Sequence, residues 1–218
     1  MRYYDIHTHR VGDESADNIT YILNFFPEDF QQAEHYGGNV LFSCGVHPWY
    51  SDGANVPLLL LEEVLKNERV VAVGEAGLDK LQGAAMDVQE LVFKRQIELS
   101  ERVGKPLVIH SVKSWDMFFE IHKECAPIQP WILHGYRGKP ELTKRLAGLG
   151  FYFSVGEYFN VDSVSIIPKE KLLCETDESE LSIVEVYGRV ADALRVNREE
   201  FVQMVEQNIE SLFTMLRK

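Results

Sequence analysis

Asp5-Ile6-His7-Thr8-His9 opens the chain as a short strand-like run ending in two imidazoles, and the pattern recurs. Cys44-Gly45-Val46-His47-Pro48, Val73-Gly74-Glu75-Ala76-Gly77-Leu78-Asp79 and Leu107-Val108-Ile109-His110 repeat it, as do Trp131-Ile132-Leu133-His134-Gly135 and Leu173-Cys174-Glu175-Thr176-Asp177. Each stops on a histidine or a carboxylate. Apolar, β-branched runs fill the middle of a sheet, whereas imidazoles and carboxylates are costly to bury unpaired. Placed at the downstream tip of one strand after another, such groups converge on one point. A barrel builds a metal site in this way, and the chemistry it suggests is hydrolysis.

Periodicity outside these runs completes the pattern. Strands are expected near 3–8, 19–25, 39–46, 70–75, 106–110, 131–134, 151–155 and 171–176. Helical spacing covers 57–66, where Pro57 suits a first turn. It also covers 86–103, which stops at Gly104 ahead of Pro106. Further helices are read near 114–124, 139–149, 181–195 and 198–217. Eight strands with helices between most of them predict an α/β chain folded as a (β/α)8 TIM-type barrel. The link after the first strand and the segment 156–170, ending near Pro168, are too short for full crossover helices. One or two outer helices should therefore be missing or replaced. A barrel of this type runs to about 250 residues, so a chain of 218 must be trimmed. No repeat, low-complexity tract or linker interrupts it, which predicts one domain over 1–218.

Composition narrows the class. Apolar residues make up 45% and charged residues 26%, the balance of a globular protein. No apolar run approaches the roughly 20 residues that cross a bilayer, and the first residues lack the layout of an export signal. Cys44, Cys125 and Cys174 are odd in number without C-x-x-C spacing. Cys44 and Cys174 sit inside apolar strands, where buried thiols are expected, and a reduced, cytoplasmic protein fits best. The formal charge is −12 and nothing in the chain resembles a basic stripe for gripping polyanions, so any nucleic-acid chemistry would draw on bound cations and a few local Lys or Arg residues. Tight sequence-specific nucleic-acid binding is not expected.

His7 and His9 stand one residue apart, and strand alternation sends both imidazoles to one face with Thr8 opposite. Two such nitrogens can take adjacent positions on one cation. Glu75, between glycines, can offer a carboxylate to two ions. His110 and His134 each follow large apolar runs. Near the last strand's end, strand alternation puts Glu175 and Asp177 on one face. Asp177, nearer the tip, is taken as the ligand, with Glu175 bonding to a neighbouring group or facing the barrel wall. His47 can touch substrate or cap the loop entering Pro48.

The ordered series H-T-H, G-V-H-P, G-E-A-G-L-D, P-L-V-I-H-S, L-H-G, F-S-V-G and E-T-D resembles the TatD family of metal-dependent hydrolases, among the amidohydrolase-like barrels. Gln96 and the closing Asn208-Ile209-Glu210-Ser211-Leu212-Phe213 are similar too. The resemblance implies a (β/α)8 barrel, one to three divalent ions (Mg2+, Mn2+ or Zn2+), and deoxyribonuclease-like cleavage of phosphodiesters by a metal-activated water. It implies one ion on His7, His9, Glu75 and Asp177. A second would sit on Glu75, His110 and His134, with Glu75 bridging and His47 beside the substrate. Departures fall in the substrate loops: Val112 and Lys113 follow H-S, Gly135-Tyr136-Arg137-Gly138 follows His134, and Glu178-Ser179 follows E-T-D.

Asp177 is expected to take the proton of the attacking water, and Glu75 to share in catalysis. His47, Lys113 and Arg137 are candidate contacts to a phosphodiester of DNA or a nucleotide. For Lys113 and Arg137, a solvated surface charge is the plain alternative. Rival readings keep the metal site for a small-molecule esterase, lactonase or amidohydrolase, or retain a non-catalytic metal-binding protein.

Overall fold

The computed structural model describes residues 1–12 and 16–213. The chain divides into two compact units that interleave in sequence. The first comprises Met1–Leu23, Gly37–Leu41 and Ile132–Lys218, the second Asn24–Tyr36 and Phe42–Trp131. Eight strands run in sheet order β1 to β8, all parallel, with helices in most connections: a trimmed (β/α)8 barrel.

In the first unit lie β1 (Tyr3–Thr8), β7 (Tyr152–Val155) and β8 (Leu172–Cys174). The ladder between first and last strands closes within this unit. Thr8 bridges Asp177, and the Asp177 amide donates to the His7 carbonyl at 3.0 Å. Helices α6 (Ile183–Leu194) and α7 (Arg198–Leu212) pack against β1 and β8. A capping box of Ser182 and Glu185 starts α6, and the Asn197 side chain accepts the first amides of α7. Tyr187 on α6 is fully buried, and its hydroxyl both donates to the Tyr4 carbonyl (3.1 Å) and lies 3.3 Å from the Tyr4 amide. That contact fixes the root of the strand carrying His7.

In the second unit β4 (Val70–Asp79) is the longest strand, and all ten of its residues are buried. Such a continuous apolar run suits a parallel strand covered on both faces. Helix α2 (Met86–Val103) lays Val92, Phe93, Gln96, Ile97 and Leu99 inward, and ends where Gly104 takes φ 68°. Only a residue without Cβ enters that conformation cheaply, so the turn signal in the sequence had a steric cause. Helices α1 (Asn55–Val64) and α3 (Trp115–Cys125) belong to the same unit. Pro57 stands third in α1, still in the first turn, because the helix starts two residues before the expected position.

Two trimmed connections fall where short links were expected, after β1 and at 156–170. Among the described residues no helix joins β1 to β2 (Ile19–Phe25). The 3-10 segment Pro27–His35, between β2 and β3 (Val40–Cys44), was not expected. After β6 (Trp131–Leu133), α4 (Pro140–Gly148) is full length. By contrast, the 156–170 link holds a four-residue helix, α5 (Val161–Val164), and a 3-10 turn at Lys169–Lys171. The final helix ends at Leu212, so the expected continuation to 217 lies largely outside the described residues.

Two strands run past their expected ends. β4 continues through Asp79 and β5 covers Leu107–Val112, so Glu75 and His110 stand inside strands, short of their tips. The cause is the pair of glycines in G-E-A-G-L-D. The β4–β5 register shifts between Val73 and Ala76, then resumes with Gly77 opposite His110. A Cβ at Gly77 would lie 2.0 Å from the His110 carbonyl oxygen, and its φ of 153° disfavours side chains. Gly77→Ala is expected to cost about 3 kcal/mol through overpacking, lowering the melting temperature by about 9 °C in a thermal unfolding scan. An unchanged midpoint would show that β4 can move aside.

Candidate metal centre

In the first unit, β1, β6 and β8 deliver imidazoles and a carboxylate to one place. His7 is fully buried on β1 and His9, just past it, is about a third exposed. Both rings turn toward Asp177: Oδ1 is 3.8 Å from His7 Nε2 and 3.5 Å from His9 Nε2. His134 follows β6, and its ring centroid lies 4.4 Å from that of His7. His7, His134 and Asp177 each place one ligand atom within 4.8 Å of the others.

Strand alternation does not carry from Glu175 to Asp177, because β8 ends at Cys174 and Asp177 adopts φ 55°. Glu175 turns inward and is fully buried. Its Oε1 accepts the Gly135 amide and lies 3.5 Å from His134 Nδ1, so it orients the ring that follows β6. Beneath Asp177, the Thr176 amide and hydroxyl both donate to the Asp5 carboxylate, at 2.9 and 2.5 Å. Burial pushes the Asp5 carboxyl up to about 7 despite those hydrogen bonds, which favour its ionised form.

In the second unit, His47, Glu75 and His110 form another set with ligand atoms within 4.8 Å. Glu75 Oε1 is 2.8 Å from His110 Nδ1 and 3.2 Å from His47 Nε2. The Glu75 amide donates to Asn24 Oδ1 at 2.8 Å, and Ser43 donates to the same oxygen at 3.0 Å. Asp79, at the end of β4, accepts the Trp49 indole N–H at 2.7 Å and lies 3.3 Å from His110 Nε2. Burial alone would raise the Asp79 carboxyl, but hydrogen bonds from Trp49, Leu81 and His110 outweigh it and hold the group below its ordinary value.

Gln96 explains how the His47 loop is held. Its side chain is fully buried, accepting the Val46 amide at 2.7 Å and donating to the Val46 carbonyl at 2.9 Å. Gln96→Ala would strand two buried backbone groups. We expect a loss of about 3 kcal/mol, read as a lower urea midpoint with an unchanged slope. A loss under about 0.5 kcal/mol would mean that water reaches Val46.

The candidate substrate contacts are placed differently. Lys113 is exposed just past β5, with φ 51°. Arg137 is exposed on the wall of a pocket of about 540 Å³ that also includes Asp177, Glu157, Tyr158 and Glu178. His35 is exposed, and His122 packs edge-on against the buried Trp131. Asp79 and Asn24 carried no role in the sequence reading. Asp79 had a signal, four residues after Glu75 in the same motif. Asn24 had none, because its partner Glu75 is 51 residues away.

The donor sets suit a divalent cation. Each brings imidazole nitrogens and carboxylate oxygen to ligand spacing, a combination that Zn2+, Mn2+ and Mg2+ accept to different degrees. At 2.8 Å, His110 Nδ1 and a Glu75 oxygen are compatible with either a hydrogen on Nδ1 or a metal ion between them.

Imidazole–carboxylate sets on the downstream halves of barrel strands define the class of metal-dependent barrel hydrolases. The chain belongs to the TatD family: the model described as TatD related DNase matches residues 15–214. A relative from Buchnera aphidicola, described as an uncharacterized metal-dependent hydrolase, is 31% identical over 183 residues, 80% of this chain and 66% of its own length. Deoxyribonuclease Tat-D of Schizosaccharomyces pombe is 33% identical over 155 residues, 62% of this chain and 50% of that protein. The match thus spans half to about two thirds of these relatives. The crystal structure of YJJV, a TatD homolog from Escherichia coli, has the same fold, with a TM-score of 0.83, 23% identity and 98% coverage of each chain.

Proposed function

We propose that this member of the family hydrolyses phosphodiester bonds, in DNA or a nucleotide, using divalent cations held at the two clusters. One observation carries the reading: each unit gathers imidazole and carboxylate ligand atoms within 4.8 Å of one another. His7, His134 and Asp177, with His9 beside them, would hold one ion, and Glu75 with His110 another, so His134 joins the first ion here and not the second, where the sequence resemblance had put it. When bound, such cations draw the pKa of water toward neutrality and offset charge on phosphoryl oxygens.

The chain's own groups supply the rest. Asp177, whose side chain is 39% exposed, would take the proton of the attacking water. The His47 Nε2 edge faces Glu75 and offers a polar contact for a substrate oxygen. Arg137 reaches into the pocket beside Asp177, where a guanidinium can grip phosphate oxygens through two N–H groups. Lys113 is assigned to the same task from the end of β5.

A second reading has its own observation. Glu157, Glu178 and Glu180 also line the pocket beside Asp177, and acidic walls repel a polyanion. Hydrolysis of a small carboxylic ester, lactone or amide fits such walls. Protein stripped by chelator and reloaded with Mg2+, Mn2+ or Zn2+ should be assayed side by side on bis-p-nitrophenyl phosphate, a DNA oligonucleotide, carboxylic esters and lactones. Metal-dependent cleavage of the phosphodiesters is expected. Turnover confined to esters or lactones would replace the first reading with the second.

A further inference from the structure

We propose that Asp79 is a positioning residue that locks the His110 ring with its proton on Nε2, presenting Nδ1 to a divalent cation beside Glu75. The inference rests on the reading of Glu75 and His110 as ligands. The carboxylate itself is immobilised: Oδ1 accepts the amides of Leu81 at 2.8 Å and Gln82 at 3.2 Å, and Oδ2 accepts the Trp49 indole at 2.7 Å. Gln89, fully buried on α2, holds the same corner by accepting the Asp79 amide and donating to its carbonyl. The fixed Oδ2 then lies 3.3 Å from His110 Nε2. An ionised carboxylate only accepts, so this nitrogen must carry the hydrogen. Nδ1 is thereby left facing Glu75 Oε1 at 2.8 Å. A carboxylate behind the far nitrogen of a metal-bound imidazole fixes the tautomer and raises ligand basicity.

His47 is set by a different partner, and to a different end. The Trp49 amide donates to its Nδ1 at 3.2 Å, so the His47 proton also resides on Nε2. That N–H points at Glu75 Oε1 (3.2 Å) and at His110 Nδ1 (3.3 Å). Two neighbouring rings in the same tautomer thus show opposite faces: His110 a lone pair, His47 a donor. His110 is the ligand of the pair, and His47 a hydrogen-bond donor toward whatever oxygen occupies the site. Trp49 serves both rings, through its backbone to one and its indole to Asp79 behind the other.

The test is histidine nitrogen NMR on the full chain, labelled with 15N-histidine, stripped of metal and titrated with Zn2+, using His47→Gln and His110→Gln for assignment. Expected is Zn2+ on His110 Nδ1, its Nε2 remaining protonated, with His47 uncoordinated. Zn2+ affinity, measured by chelator competition, should fall about 10- to 100-fold in Asp79→Asn and recover in part in Asp79→Glu. Coordination through His110 Nε2, or through His47, overturns the proposal, as does an Asp79→Asn affinity within threefold of wild type. If Asp79→Asn does not fold, the wild-type spectrum alone decides. Correct coordination without phosphodiester cleavage would uphold this inference and remove the proposed reaction. Failure to bind Zn2+ at all would remove both.

Discussion

Glu75→Ala should lower turnover of bis-p-nitrophenyl phosphate by about a thousandfold or more, which is about 4 kcal/mol of transition-state stabilisation. Its carboxylate is 5% exposed at the side chain, between the His110 and His47 rings. Without it, the ligand set in the second unit keeps imidazoles alone. Metal content by emission spectroscopy should drop by one ion per chain. Folding should survive, because the Glu75 contact to Asn24 is made by the backbone amide, which alanine retains. Removing a buried carboxylate also removes its desolvation cost, so the melting temperature of the metal-free variant should hold or rise. A variant with full metal content and unchanged turnover would end the catalytic reading.

Asp177→Asn tests the first unit. The carboxamide keeps the size of the side chain, and the backbone contacts of Asp177 with His7 and His9 need no carboxylate. Turnover should fall by about a hundred- to ten-thousandfold, the range for loss of a general base. Ion affinity in this unit should weaken as well, because His7 and His9 both approach Oδ1. Raising the Mn2+ concentration separates the two effects. Rate lost through weaker binding returns at saturating metal, and rate lost through proton transfer does not. Full activity at ordinary metal concentration would show that another group takes the proton.

Much of this architecture was legible in residue order. Helix α2 matches its periodic run from Met86 to Val103, and Gly104 ends it for the steric reason read from sequence. The short links after β1 and at 156–170 foretold where, among the described residues, full outer helices would be missing or replaced. The errors were local and have a common source. Glu75 and His110 looked like strand tips because a polar group after an apolar run resembles an ending. The glycines that let β4 bulge and pair onward with β5 act only when the neighbouring strand is present. Glu175 looked like a partner of Asp177 on one face, an inference that holds only while strand geometry lasts, and β8 stops one residue earlier.

Residue order alone determined the alternation of strands and helices and the chemical types of the candidate ligands, because periodicity and side-chain chemistry are properties of neighbouring residues. The tertiary structure decided which groups meet: Glu175 behind His134, Asn24 under Glu75, and Asp79 between Trp49 and His110. Those partners stand 30 to 51 residues apart. Over such separations a hydrogen bond depends on where the strands pack, which no run of adjacent residues encodes.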